Sequence, residues 1–262
     1  MLELYHSINS VCAQKVRIAL AEKGLTAKEH LMTLRGDQFD PGYLKLNPSG
    51  VVPTLIHDGT PVTESSVILY YLDDVFPEPS LMPKSPLARA QVRQYNKLID
   101  EYLHNSCMIL TFATAFRPAF LKMTPEARDA EFAKSPLKRR AEYKRSVTAH
   151  GLDSEYVADA VDYHRKLISS MAGSLARGPY LAGDAFSNAD AAVIPYILRL
   201  ELLKLTGLWS PYPAVAQWWQ RMRERPSVQD TIFKRMTDTD WAPFKNLAPD
   251  PWPKVQSLLQ AA

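Results

Sequence analysis

At 262 residues, with 46% hydrophobic and 23% charged side chains, the chain is long enough for two modest folded domains and leaves little room for an extended disordered region. A formal net charge of +3 and a basic run (Lys138, Arg139, Arg140, Lys144, Arg145) interrupted by Glu142 and Tyr143 argue against a nucleic-acid partner, and the run reads as a solvated helix face. Cys12 and Cys107 are too few for a disulfide framework and wrongly spaced for a zinc site, and no apolar run reaches a membrane span of roughly 18 residues, so the expectation is a reducing cytoplasm without metal or membrane.

Leu2 to His6 alternates as a half-buried strand, and Val11 to Lys23 carries apolar residues at helical spacing up to a stop at Gly24. A second strand is expected near His30 to Thr33, then a short helical or irregular piece with Tyr43 and Leu44, and a break at Asn47-Pro48. Pro53 to Ile56 reads as a strand, Asp58-Gly59 as a hairpin turn, and Pro61 to Thr63 as the returning strand. A helix from Ser66 to Val75 completes a βαβαββα order, a mixed sheet with helices on its faces. Phe76 to Pro86 holds four prolines and reads as a linker, which predicts an α/β domain over residues 1–80 and an all-helical domain over 81–262.

Past the linker, Val92, Tyr95, Ile99 and Tyr102 recur at helical spacing, as do Val157, Val161, His164, Ile168, Met171 and Leu175. Between these stripes, Pro118 to Leu152 is polar and weakly periodic, and is expected to insert a short helix and a lid-like loop. Ser187 and Asp190 can cap an apolar helix from Ala191 to Leu205 with a glycine stop at Gly207, and a further helix is expected from Ala214 to Glu224.

Three places can carry chemistry. Ser10 precedes the first helix, where its hydroxyl and the free N–H groups favour an anion; the same serine can equally be an N-cap alone. Glu64-Ser65 repeats that position at a second helix start, where N–H groups can hold a carboxylate and Glu64 can receive an ammonium group. Val52-Pro53 can be a cis peptide exposing the Val52 backbone for strand-like pairing, or an ordinary trans proline at a strand edge.

In order and spacing these stations resemble the glutathione transferase superfamily, and the resemblance covers almost the whole chain. Ser10-Val11-Cys12-Ala13-Gln14-Lys15-Val16-Arg17 resembles the serine-type active-site segment of zeta-class enzymes. Val51-Val52-Pro53-Thr54-Leu55 looks like the family's cis-proline strand, Thr63-Glu64-Ser65 like its γ-glutamyl motif, and Ser187-Asn188-Ala189-Asp190 like its capping box with a buried structural aspartate. His57-Asp58-Gly59, Val62-Thr63-Glu64-Ser65, Asp74-Val75-Phe76-Pro77-Glu78 and Asp100-Glu101-Tyr102 are similar to the bacterial β-etherase branch, which cleaves lignin-type aryl ethers with glutathione. The first helix is closer to the zeta enzymes and to the glutathione-dependent reductive dehalogenases.

The resemblance implies a thioredoxin-like domain followed by an all-α helical bundle, glutathione as co-substrate, a hydrophobic small-molecule electrophile as second substrate, and a homodimer. It places the glutathione sulfur beside Ser10, whose hydroxyl and helix start hold the thiolate, with Val52, Pro53, Glu64 and Ser65 along the tripeptide. Cys12 is the rival to Ser10, because a cysteine near a helix start can be activated and form a mixed disulfide, although it can also face the core as an inert side chain. Gln14, Gln38 and Lys45 are candidates for the glycine carboxylate, and Tyr95, Tyr102, Phe112, Phe116 and Phe120 for an aromatic pocket. His6 and His104 are assigned no catalytic role. The expected reaction is thiolate attack on an aromatic electrophile, with a β-aryl ether as the substrate that the β-etherase likeness implies. Isomerisation, reductive dehalogenation and glutathione binding without catalysis are the alternatives.

Overall fold

The structure is a computed structural model that describes residues 1–245 and 247–261. Strand β1 (Leu2–His6) buries Leu2, Leu4 and His6 on one face, as its alternation requires. It is flanked by β2 (Lys28–Leu31) in parallel and by β3 (Thr54–His57) in antiparallel, and β4 (Thr60–Val62) closes the order β2-β1-β3-β4. The β3–β4 hairpin turns at Asp58 and Gly59, whose φ values of 48° and 82° suit a tight two-residue turn. Helix α1 (Val11–Glu22) stops before Gly24, at φ 64°. Helices α2 (Pro41–Leu44) and α3 (Ser65–Val75) complete the α/β domain.

Strand β2 lies two residues earlier than the sequence spacing indicates. Three of its four side chains are exposed and only His30 is half-buried, so apolar alternation carries no signal there; pairing of Glu3 with Lys28 sets its register.

The rest of the chain is helical: α4 (Pro86–Leu98), a π-turn over Ile99–Leu103, α5 (His104–Ala113), α6 (Arg117–Leu121), α7 (Pro125–Ala133), α8 (Lys138–His150), α9 (Val157–Leu175), α10 (Asn188–Leu202), α11 (Pro213–Glu224), α12 (Pro226–Val228), α13 (Asp238–Lys245) and α14 (Trp252–Ala261). The segment expected to hold one short helix and a loop instead holds α6, α7 and α8. Their weak periodicity has a cause: α7 buries only Phe132, and α6 buries no residue fully. Lys144 of the basic run is not freely solvated; its ammonium lies 4.8 Å from the Phe112 ring centroid and 5.8 Å from that of Phe132.

Helix α10 is the axis of the bundle, buried along almost its whole length. Asp190 anchors its start. One carboxylate oxygen accepts from the Ser187 N–H and hydroxyl at 3.1 and 3.0 Å, and the other from the Leu181 N–H at 3.1 Å and Trp218 Nε1 at 2.9 Å. Burial pushes the Asp190 carboxyl pKa up despite these four donors. The helix ends at Leu202, with Lys204 at φ 58°, so Gly207 is not its stop; Gly207 gives room for the Trp252 ring, which a side chain there would strike. Among the described residues no helix is long and apolar enough to cross a membrane.

Candidate active site

The β1–α1 loop delivers Ser10 to the start of α1, where its φ and ψ of −78° and 117° are extended and its Oγ accepts from the Ala13 N–H at 3.3 Å. That bond uses one lone pair of the hydroxyl and leaves its proton free to donate. Ser10 is therefore a cap, and its position at the positive end of the helix leaves the anion-site reading open to the same residue.

The loop before β3 is held from within the domain. Tyr43 Oη donates to the Val51 carbonyl, and Asn47 Nδ2 donates to the same oxygen at 2.9 Å and to Thr54 Oγ1 at 3.1 Å. The Val52–Pro53 peptide is cis. The Val52 N–H and C=O take part in none of the chain's own hydrogen bonds among the described residues, so this edge is available to an extended ligand.

Glu64 sits immediately before α3 in the left-handed region, at φ 64°, and makes no side-chain cap. For a glutamate this backbone is uncommon and costs on the order of 1 kcal/mol, a kind of strain that clusters at binding sites. The N–H groups at the start of α3 thus keep no side-chain acceptor of their own.

Lys15 and Cys12 tie the two helix starts together. The Lys15 side chain is fully buried; its Nζ donates to Ser66 Oγ at 2.9 Å and lies 3.6 Å from Asp100 Oδ1, and Ser66 Oγ donates to Asp100 at 2.8 Å. Cys12, half-buried, has its Sγ 3.3 Å from His104 Nδ1 of α5 and 3.8 Å from Tyr196 Oη of α10. Burial alone pushes the thiol up. The charge and hydrogen bond of His104, the Lys15 ammonium and a hydrogen bond from Ser65 overcome it and bring Cys12 down to about 6 from an ordinary 9.0. Cys107 is pushed up to about 11, because burial outweighs the nearby Arg199 charge and a hydrogen bond with Thr111. Tyr196 is held well above its ordinary value by burial and by the adjacent sulfur, so it remains a protonated donor.

The aromatic candidates divide. Phe112, Phe116 and Phe120 form one cluster, with ring centroids 5.3 and 5.4 Å apart, extended by Phe132 and by Phe244 of α13. Tyr95 is core: it is buried and its hydroxyl pairs with Ser174 at 2.8 Å. Tyr102 is 42% exposed and stacks on Tyr163 at the surface. Gln38 is turned to its own loop, where Oε1 accepts from the Gly36 N–H at 3.0 Å; Gln14 Nε2 donates to the Ile8 carbonyl at 3.2 Å, and Lys45 is exposed. His6 packs at 3.1 Å against Arg17, and burial brings it down to about 4. Sequence reasoning gives His104 and Tyr196 no part in this cluster, because contacts spanning 92 and 184 residues leave no local motif.

Two family models describe this arrangement: the glutathione S-transferase N-terminal domain over residues 9–75 and the glutathione S-transferase C-terminal domain over residues 133–226, together more than half the chain. The chain belongs to the glutathione S-transferase family. Protein LigF of Sphingobium sp. strain SYK-6 is 28% identical over 242 residues, covering 89% of this chain and 93% of LigF. The crystal structure of that β-etherase matches with a TM-score of 0.79 at 26% identity, over 90% of this chain and 99% of LigF. Glutathione S-transferase Z2 of Arabidopsis thaliana is 29% identical, over 91% of this chain and 93% of its own. Maleylacetoacetate isomerase of Mus musculus is 28% identical, over 90% and 94%. The transferase likeness therefore spans both the sheet domain and the helical domain.

Proposed function

We propose that this glutathione transferase binds glutathione along the start of α1, the Val52–Pro53 edge and the start of α3, and uses its thiolate to attack a hydrophobic, aromatic electrophile. The observation that carries the reading is the joining of two helix starts beside an unpaired peptide edge. Val52 offers one N–H and one C=O for antiparallel pairing with the tripeptide, Ser65 with the free α3 N–H groups receives the γ-glutamyl carboxylate, and Glu64 receives its ammonium group. Ser10 donates its free proton to the sulfur while continuing to accept from Ala13. The helix start and that hydrogen bond both favour the charged form, and each unit of pKa depression is worth about 1.4 kcal/mol.

In this reading residues 1–80 hold glutathione and residues 81–262 complete the electrophile site, with Phe112, Phe116 and Phe120 as its apolar wall, in a homodimer of the cytoplasm. The likeness to LigF supports cleavage of a β-aryl ether, in which the carbon–oxygen bond breaks, the phenolate leaves and a glutathione thioether remains. Incubation with glutathione and a panel of aryl ethers, haloaromatics and maleyl compounds, followed by mass analysis, tests it. A phenol and a glutathione adduct support etherase chemistry; unchanged substrate mass with altered geometry indicates isomerisation, as the likeness to maleylacetoacetate isomerase would have it. Binding without turnover of any compound leaves a glutathione-binding protein.

A second reading rests on Cys12. With His104 at 3.3 Å and the thiol brought to about 6, Cys12 is largely thiolate at neutral pH and suited to attack a disulfide of glutathione. The mixed disulfide forms as one glutathione leaves as thiolate. Its check is a mass gain of one glutathionyl group on the wild-type protein that Cys12→Ser abolishes.

A further inference from the structure

Two buried arginines hold the loop that carries Ser10. Arg17, on α1, sends Nη1 to the Ser7 carbonyl at 3.0 Å and Nη2 to the Ile8 carbonyl at 2.9 Å, while its Nε reaches across to the Thr231 carbonyl at 3.1 Å. Arg199, on α10, sends Nη2 to both the Asn9 carbonyl and Asn9 Oδ1, at 2.9 and 2.7 Å, and Nη1 to Thr111 at 3.2 Å. Three consecutive carbonyls, Ser7, Ile8 and Asn9, are thus each bound by a guanidinium, one anchored in each domain. Neither cation forms a salt bridge among the described residues, although Arg17 is 2% and Arg199 6% exposed.

A buried cation with no carboxylate in salt-bridge contact is costly, so two of them on one four-residue loop require a physical return. Around Arg17 stand His6, Glu29, Arg235 and Asp240; around Arg199 stand Cys107, Tyr196 and the faces of Phe116 and Phe244, at 6.0 and 5.0 Å. Burial brings Arg17 down to about 9, which leaves it cationic at neutral pH. A carbonyl oxygen turned toward a thiolate would repel it. The guanidinium groups fix all three oxygens elsewhere and add positive charge beside the helix start.

We propose that Arg17 and Arg199 are positioning residues that act through the Ser7–Asn9 carbonyls to hold Ser10 and the start of α1 in the geometry that stabilises a bound thiolate. The inference rests on the glutathione reading above. It adds that the helical domain, through Arg199, sets the acidity of a thiol bound by the other domain.

The test is an ultraviolet titration of the thiolate of bound glutathione in the wild-type protein and in Arg17→Met, Arg199→Met, Arg199→Lys and Asn9→Ala, with glutathione affinity from calorimetry. The wild type shows a bound thiol more acidic than the free one. Each methionine variant raises that pKa by about one unit, a roughly tenfold loss of thiolate below the midpoint, with affinity changed by less than about threefold. Arg199→Lys recovers part of the shift, because a lysine donates to the carbonyl without bridging Asn9 and Thr111. Asn9→Ala alters a half-buried position and removes one acceptor of Arg199, so it raises the pKa even if Arg199→Met fails to fold. An unchanged pKa in folded Arg17→Met and Arg199→Met, or in Asn9→Ala where Arg199→Met fails, overturns the positioning role. A wild-type protein that binds glutathione without acidifying it overturns the thiolate reading itself, and the positioning role with it.

Discussion

Cys12 and Ser10 lie two residues apart and are governed by different physics. Ser10 is set by local geometry at a helix start, whereas Cys12 is set by His104, a neighbour from the other domain. The Cys12 shift fixes a pH window. A thiol with its folded value lowered to about 6 from 9.0 contributes stability that is present above the unfolded value and is lost as pH falls through about 6. Alkylation of Cys12 should therefore follow a midpoint near pH 6. His104→Ala should move that midpoint up by one to two units and cut the thiolate fraction at pH 7 by about two- to tenfold; the greater nucleophilicity of a less acidic thiolate offsets much of this in rate, so the midpoint is the readout. An unchanged midpoint would mean His104 does not set the charge. Ser10→Ala should raise the pKa of bound glutathione by about one unit and lower kcat about tenfold or more, with little change in KM. The cap at Ser10, the helix start after Glu64 and the proline break at Val52-Pro53 were legible in sequence because caps, turns and prolines act within a few residues. The activation of Cys12 was not, since a cysteine in a first helical turn is inert or reactive according to what another domain places against it.

At the scale of elements, β1, the β3–β4 hairpin, α1, α3 and the start of α10 follow from alternation, turn residues, helical spacing and capping residues. The departures have one cause: β2, α6 and α7 bury little, and an element with no buried stripe leaves no period to read. The start of α10 should be the most sensitive point in the helical domain. Asp190→Ala removes the acceptor of four donors inside the core and should cost about 3 kcal/mol or more in urea unfolding, far above an exposed carboxylate such as Asp238. Gly207 is a second such point. A methyl group there meets the Trp252 ring, so Gly207→Ala should displace α14, shift tryptophan emission to the red and cost about 1–3 kcal/mol.

Across the whole molecule, the two halves are bound by polar contacts as well as by packing. Arg225 pairs bidentately with Glu22 at 2.6 and 2.8 Å, Arg235 pairs with Glu29, and Asn188 donates to the Leu69 carbonyl at 3.3 Å. All five tryptophans lie in the helical half, whereas Cys12 reports on α1, so urea should end tryptophan burial and Cys12 protection at one midpoint; separate midpoints would show the halves unfolding independently. The family was legible from motifs spread along the chain, but the electrophile was not, because the aromatic cluster proposed as its wall is assembled from side chains far apart in sequence that meet only in three dimensions. A tripeptide lying across both helix starts and the Val52 edge gives, in isothermal titration calorimetry of glutathione into the intact protein, one saturable site per chain with a Kd of about 1 mM or tighter; no saturable heat at several times that concentration would mean that no such ligand is held there.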